Sequence, residues 1–265
     1  MARILMGFPG GKHKVLTISY DDGKSADRRL VDILNRNGLK GTFHINSEML
    51  GIGDRLTAEE VGSLYKGHEV STHTLTHPTI ARSPREQLVH EIFQDRNNLE
   101  QIVGYTVRGL SYPNGSYNQR IKDLLPHLGI EYARITGSTN DFAIPDDLYE
   151  WKATCHHNHN LLELTDKFLG INKKQNLYMM YVWGHSYEFD NDNNWDLIEE
   201  FSARIANQQD IWYATNIEIV DYMNAFRNLK FSAASDRVYN PSACSVWILV
   251  DDQIIEILGG STVKL

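Results

Sequence analysis

From Val15 to Thr215 the chain alternates two hydrophobic patterns. Short runs of β-branched and aromatic residues are followed by longer segments whose apolar positions recur at helical spacing. "VLTISY" (15–20) predicts a strand. The next segment, "KSADRRLVDILNRNG", places Leu30, Ile33 and Leu34 on one helical face and stops at Asn37-Gly38. "KGTFHIN", "HEVSTH" and "TVRGLSY" predict further strands. Between them lie "TAEEVGSLYKG", with Thr57 and Glu60 at capping-box spacing, and the long "SPREQLVHEIFQDRNNLEQIVG", with Ser83 and Glu86 at the same spacing and Pro84 in the first turn. A helix over 117–127, the strand "IEYARIT", an irregular stretch over 137–160 and a helix to about Gly170 come next. The strand "NLYMMYVWGH", the helix "NNWDLIEEFSARIANQ", a short "DIWYAT" and a helix over 216–228 complete the series.

Strands alternating with helices imply βαβ units around a parallel sheet. About seven strands are enough for a distorted, incomplete (β/α)7-type barrel. From Leu229 onward the helical signal stops. "NLKFSAASDRVYNPSACSVWILVDDQIIEILGGSTVKL" predicts three or four short antiparallel strands, with turns at Asn240-Pro241, Asp251-Asp252 and Gly259-Gly260. The expected division is therefore an α/β domain over 1–228 and a β appendage over 229–265.

Composition narrows the function classes. A formal net charge of −8 without any basic stripe argues against nucleic acid or an anionic membrane surface as partner. No apolar run approaches the roughly 20 residues of a membrane helix. The N-terminal segment carries no signal-peptide pattern, so the expected location is the cytoplasm. Two cysteines, Cys155 and Cys244, make no disulfide framework.

The chemistry collects at strand ends. "TISYDDG" delivers two adjacent carboxylates, Asp21 and Asp22, to a glycine turn, an arrangement that costs repulsion unless a cation or a reaction uses it. "STHTLTHP" places His73 and His77 where two imidazoles converge on one cation from a single turn. Strand C-termini of a parallel α/β fold share one edge, so all four residues are expected on one rim. Two neutral histidines and one carboxylate leave coordination positions open, which is the pattern of a catalytic rather than a structural metal site.

"TISYDDG" resembles the T-F-D-D-G signature, and "HTLTH" the H-S/T-x-x-H signature, of the polysaccharide deacetylases (carbohydrate esterase family 4, the NodB-homology domain). The resemblance extends over about residues 12–225. It implies that Asp21 is the general base, that Asp22, His73 and His77 hold one divalent metal ion, with zinc preferred, and that the metal polarises an acetyl carbonyl. "YVWGHSYEF" resembles the L-x-x-H motif, which makes His185 the general acid, with Glu188 and Asp190 close by. "RGLSYPNGSYN" resembles the R-P-P-Y-G segment through Pro113 and Gly115. The family arginine falls on Ser111 and the family tyrosine on Asn114. Arg108 is left as the displaced candidate for orienting Asp21, and Tyr112, Pro113 and Asn114 as substrate or oxyanion contacts.

The stretch 140–160 stands where the family carries an Asp and Trp that support the acid histidine. Asp147 and Trp151 have a suitable spacing, with Asp141 and Asp146 competing. Cys155, His156, His157 and His159 are expected to line the substrate groove, with an extra or alternative metal ligand as the second reading. Trp183, Trp151 and Tyr117 are candidate sugar-stacking faces. The expected activity is metal-dependent hydrolysis of an N-acetyl or O-acetyl group from a carbohydrate. A same-fold hydrolase of a non-sugar amide and a silent metal- or glycan-binding module are the alternatives.

Overall fold

The computed structural model describes residues 3–265. In chain order its strands are β1 (Ile4–Gly7), β2 (Lys14–Asp21), β3 (Thr42–Ile45), β4 (Glu69–Thr72), β5 (Gly109–Ser111), β6 (Tyr132–Ser138), β7 (Trp151–Ala153), β8 (Cys155–His156), β9 (Tyr178–Gly184) and β10 (Ile211–Tyr213), followed by β11 (Lys230–Phe231), β12 (Arg237–Tyr239), β13 (Val246–Val250), β14 (Gln253–Ile257) and β15 (Thr262–Lys264). The helices are α1 (Asp27–Arg36), α2 (Ala58–Leu64), α3 (Arg85–Val103), α4 (Gln119–Leu124), α5 (Leu161–Leu169), α6 (Tyr187–Asn191), α7 (Trp195–Ile205) and α8 (Asn216–Arg227).

A parallel sheet runs in the order β7-β6-β5-β4-β3-β2-β9-β8, with β10 beside the start of β2. Its two ends meet through one chain segment. Trp151–Ala153 pairs with β6, while Cys155–His156 pairs with β9. Thr154 turns the chain between them, and its N–H donates to Tyr181. The result is a distorted seven-position (β/α) barrel, closed by two fragments where a full strand would lie. Because every strand is parallel, Asp21, His73, Ser111 and His185 emerge at one rim.

Local chemistry explains where the elements begin and end. The expected capping box at Thr57 and Glu60 forms in full, and a second one, Thr215 with Glu218, opens α8. The box expected at Ser83 and Glu86 does not form. Ser83 is extended and closes a preceding 3-10 turn, and Pro84 takes the N-cap position of α3 without a side-chain cap. The helix expected over 117–127 is shorter: α4 starts after the Asn118 cap and passes into a 3-10 turn over Leu125–Leu128, where Pro126 has no N–H to continue the ladder.

The C-terminal segment forms two antiparallel three-stranded sheets, β11-β12-β15 and β1-β13-β14. The second recruits β1, a strand the hydrophobic pattern did not announce. Asp251 and Asp252, both at positive φ (48° and 68°), make the tight hairpin turn between β13 and β14. Val238, Val246 and Ile248 are buried in one cluster with Phe8 and with Tyr222 of α8, so these sheets pack directly on the barrel.

Inside the barrel a polar layer underlies the rim. Thr17 and Tyr181 both bond Asn216, and Glu69 accepts from Tyr132 (2.7 Å) and Thr42 (3.0 Å). Asp27, fully buried at the start of α1, accepts from Tyr65 at 2.5 Å. Burial pushes its carboxyl up to about 7, against the opposing pull of the Ser186 and Tyr65 hydroxyls. In the unfolded chain that carboxyl titrates near 4. The folded state therefore keeps a proton that the unfolded state releases, and this contribution to stability, full below about pH 4, is lost as pH rises to about 7. Asp27→Asn removes this slope. The unfolding free energy from urea titrations at pH 4.5 and 7.5 is expected to differ less in the variant, by at least about 1 kcal/mol. Glu69 and Asp95, also raised to about 7 by burial, keep the remaining slope. Identical pH dependence in both proteins would show that Asp27 is ionised in the fold.

Candidate active site

Asp21, Asp22, His73, His77, Tyr112, Asn114, Thr136, Trp183, His185 and Tyr187 line one cleft of about 280 Å³ at the C-terminal rim. A larger cavity, about 760 Å³, lies elsewhere, beside Leu5, Phe142 and Leu177 near the start of β9, and its lining is mostly apolar, with Asp141 and Tyr178 as ionisable groups.

The rim is held in a strained backbone. Asp22 has φ 81°, Thr74 65° and His77 62°, left-handed values that cost non-glycine residues on the order of 1 kcal/mol or more each. A dense set of bonds holds this geometry. Glu91 accepts from both the N–H and the hydroxyl of Thr76 (2.9 and 2.7 Å), and its own carbonyl takes the Leu75 N–H. Asn46 donates to the carbonyls of His73 and Thr74 (2.6 and 2.9 Å). The buried carboxyl of Asp95 takes the Thr72 hydroxyl, the His73 N–H and the Ser47 N–H.

His73 Nδ1 lies 2.8 Å from the Ser111 carbonyl and donates to it, which leaves the Nε2 lone pair facing Asp22. Nε2 of His73 and of His77 lie 3.8 and 3.9 Å from Asp22 Oδ1, and the three donor atoms fall within 4.8 Å of one another. Burial lowers the His73 pKa despite the nearby Asp21 and Asp22, so the ring is neutral and free to ligate. Two imidazoles and one carboxylate are a donor set that fits a divalent cation of borderline softness.

Asp21 is almost completely buried. Its Oδ2 accepts from the Arg134 guanidinium and from the Ser111 hydroxyl (3.2 Å), while Oδ1 has no protein partner. Burial works to raise this carboxyl, but Arg134, then His73, His44 and His185, hold it well below the usual carboxylate range. His185, at the end of β9, has Nδ1 3.4 Å from Glu188 Oε1. Burial works to lower it, yet Glu188, Asp21 and Asp22 raise it above the ordinary histidine value.

Several sequence-predicted residues lie elsewhere. Arg108 does not reach Asp21. It forms a two-pronged pair with Asp221 of α8 (2.7 Å each) and touches Glu131, on the outside of the barrel. Arg134 makes that contact instead. It sits directly across from Ser111 in the β5–β6 register, so the guanidinium reaches over the short serine, which accepts from it at 2.5 Å, to Asp21. Trp183, at the cleft wall, packs under the same guanidinium at 4.3 Å. Trp151 has no exposed surface and packs edge-on between Tyr132 and Tyr181, outside the cleft lining. Asp147 caps a 3-10 turn and pairs with Lys122 at 2.6 Å, away from His185. Tyr112 is bonded through its hydroxyl to the Tyr149 carbonyl and stacks on Tyr117, and Pro113 and Asn114 form the turn at the cleft edge. Cys155 faces the hydrophobic core.

Sequence reasoning missed Arg134, Thr136 and Tyr187. For the first two a signal was present: in "YARIT" positions 132, 134 and 136 share one strand face, so an arginine there is carried into the barrel.

Residues 9–133 match the family model described as polysaccharide deacetylase. Over that segment, a little under half of its length, the chain is similar to the polysaccharide deacetylases. Arg134 and His185 lie beyond the matched segment. A chitin deacetylase from Pestalotiopsis sp is 27% identical over 131 residues, covering 49% of this chain and 44% of the relative. Chitin deacetylase 1 from Cryptococcus neoformans is 28% identical over 115 residues, covering 43% of this chain and 24% of the relative. The chain thus spans less than half the length of these curated relatives. Among solved structures, the family 4 esterase domain of a multidomain xylanase from the hindgut metagenome of Trinervitermes trinervoides superposes with a TM-score of 0.56 at 16% identity, over 80% of this chain and 92% of that one. That likeness establishes the barrel fold. No helix among the described residues is long and apolar enough to cross a membrane.

Proposed function

We propose that the protein is a metal-dependent hydrolase that removes an acetyl group, N-linked in the first instance, from a carbohydrate, with residues 1–228 carrying the chemistry. The observation that carries this reading is the division of labour between two adjacent carboxylates. Asp22 points its Oδ1 at His73 and His77, while Asp21 is pinned through Oδ2 and keeps Oδ1 free. The family match supplies the carbohydrate class, since its curated relatives are chitin and peptidoglycan deacetylases.

Asp22, His73 and His77 would hold one divalent ion, zinc by preference. When bound, the ion supplies Lewis acidity toward the acetyl carbonyl and the attacking water. Asp21 Oδ1, ionised and unpaired, accepts a proton from that water as its oxygen bonds the carbonyl carbon. In the Pro113–Gly115 turn, where proline has no N–H and Gly115 gives its own to the Tyr112 carbonyl, the Asn114 N–H is the donor left for the developing oxyanion. His185 gives its proton to the sugar nitrogen as the C–N bond breaks, leaving acetate and the amine. Glu188 keeps the imidazole protonated and oriented for that transfer. Trp183 and Tyr187 offer the cleft wall to a sugar ring.

Asp22→Ala and His77→Ala are each expected to abolish zinc retention at this triad, read as metal content per chain after desalting. Unchanged binding at the triad in both variants would refute the ligand assignment. The reaction itself is tested by acetate release from a panel of acetylated monosaccharides and chito-oligosaccharides, with chelator-stripped and zinc-restored protein compared. Release that returns only with zinc is expected. Failure on every sugar by fully metallated protein would overturn the carbohydrate reading.

A further inference from the structure

Beside His185 lies a second group of metal-type donors, of which two, His156 and His157, have no part in the proposed chemistry. His156 at the end of β8, His157 just after it and Glu188 on α6 bring one donor atom each within 4.8 Å of the others. His156 Nε2 is 3.1 Å and His157 Nε2 3.4 Å from the same carboxylate oxygen, Glu188 Oε2. Four-coordinate zinc with nitrogen and oxygen ligands at about 2.0–2.1 Å sets neighbouring ligand atoms roughly 3.3–3.5 Å apart. These separations already fit, and are tighter than those in the Asp22 triad.

His157 makes this more than an incidental cluster. It has no exposed surface, it is sandwiched between Phe189 (ring centroids 4.2 Å apart) and Tyr20 (5.6 Å), and neither ring nitrogen has a hydrogen-bond partner in the protein. Gly184 makes room for it, since a Cβ there would stand 2.0 Å from His157 Nδ1. Barrel packing has thus fixed an imidazole with its Nε2 aimed at Glu188. A buried polar atom left unpaired costs about 1–3 kcal/mol, and a cation at Nε2 would remove that cost.

We propose that His156, His157 and Glu188 hold a second divalent cation of the zinc class, with a fourth position open to water. The two imidazoles and one carboxylate are the same donor set as at the first triad, so the same metals suit it. His156 Nδ1 accepts from the Asn158 N–H at 3.2 Å. Ligation through Nε2 requires Nδ1 to carry the proton and that long contact to open. Glu188 Oε1 faces the His185 imidazole, while Oε2 faces the cation site and also accepts the His185 backbone N–H at 3.0 Å, so one carboxylate joins the two. The inference rests on the donors alone and stands apart from the deacetylase reading.

The test is zinc content per chain by mass spectrometry, after chelator stripping, zinc reloading and desalting, with folding checked by circular dichroism. Wild type is expected to hold two equivalents, and Asp22→Ala/His77→Ala one. His157→Phe, which keeps the aromatic stack and removes the donor, and His156→Ala/Glu188→Gln, which changes half-buried positions, are each expected to hold one. Combining either with Asp22→Ala/His77→Ala should leave none. A wild type with a single equivalent that Asp22→Ala/His77→Ala removes would overturn the proposal, as would two equivalents retained in His157→Phe or in His156→Ala/Glu188→Gln. A single equivalent that survives Asp22→Ala/His77→Ala and is lost in His157→Phe would uphold this site and refute the first triad.

Discussion

Arg134→Ala is expected to destabilise the fold by about 3–5 kcal/mol and to lower deacetylation by two orders of magnitude or more, the largest combined effect of any single substitution in this barrel. The stability figure follows from leaving a buried charge without its partner. Arg134 and Asp21 are each almost fully buried, and removing the guanidinium leaves Oδ2 of Asp21 with only the Ser111 hydroxyl, which Arg134 itself helps to place. With the largest opposing charge gone, burial raises the carboxyl, which weakens the proposed base along with the stability. Urea midpoints and turnover on the best acetylated sugar measure the two effects. The double variant Asp21→Asn/Arg134→Met removes both charges together and should recover most of the stability and none of the activity. Arg134→Ala with wild-type stability and turnover would mean that Asp21 is held by something other than this pair.

The same residue shows where the sequence was informative and where it was not. The barrel was legible because strand and helix periods alternate cleanly. The rim was legible because parallel strands put Asp21, His73 and His185 at one edge whatever their side chains do. Arg108 was misplaced because chain distance from the Pro113–Gly115 turn does not determine side-chain direction. Residue 108 precedes β5 and points outward to α8, whereas residue 134, far away in sequence, is a cross-strand neighbour of Ser111. Trp151 and Asp147 were attractive by spacing alone, yet the closure of the barrel by β7 and β8 turns Trp151 into the interior and leaves Asp147 to cap a turn. The strand β1 escaped notice because "ILMG" is too short to show a period, and its partner β13 lies more than two hundred residues away.

Asp21→Asn is expected to keep the fold and the zinc at Asp22, His73 and His77 while turnover falls by about 10²–10⁴, the usual contribution of a positioned general base. The buried ion pair predicts how the introduced amide will sit. Arg134 and Ser111 both donate toward the Oδ2 position, so the amide oxygen settles there and the NH2 group takes the place of Oδ1. The cleft then meets a donor where it met an acceptor, and the water loses its proton sink while every neighbouring contact is retained. Loss of one buried charge makes the variant less stable, but less so than Arg134→Ala, because an amide can still accept from the guanidinium whereas a stranded carboxylate has nothing to replace it. Zinc content, circular dichroism and initial rates on one preparation test all three parts. Full activity in Asp21→Asn would remove Asp21 from the base role. Loss of zinc together with activity would instead show that both carboxylates serve the metal.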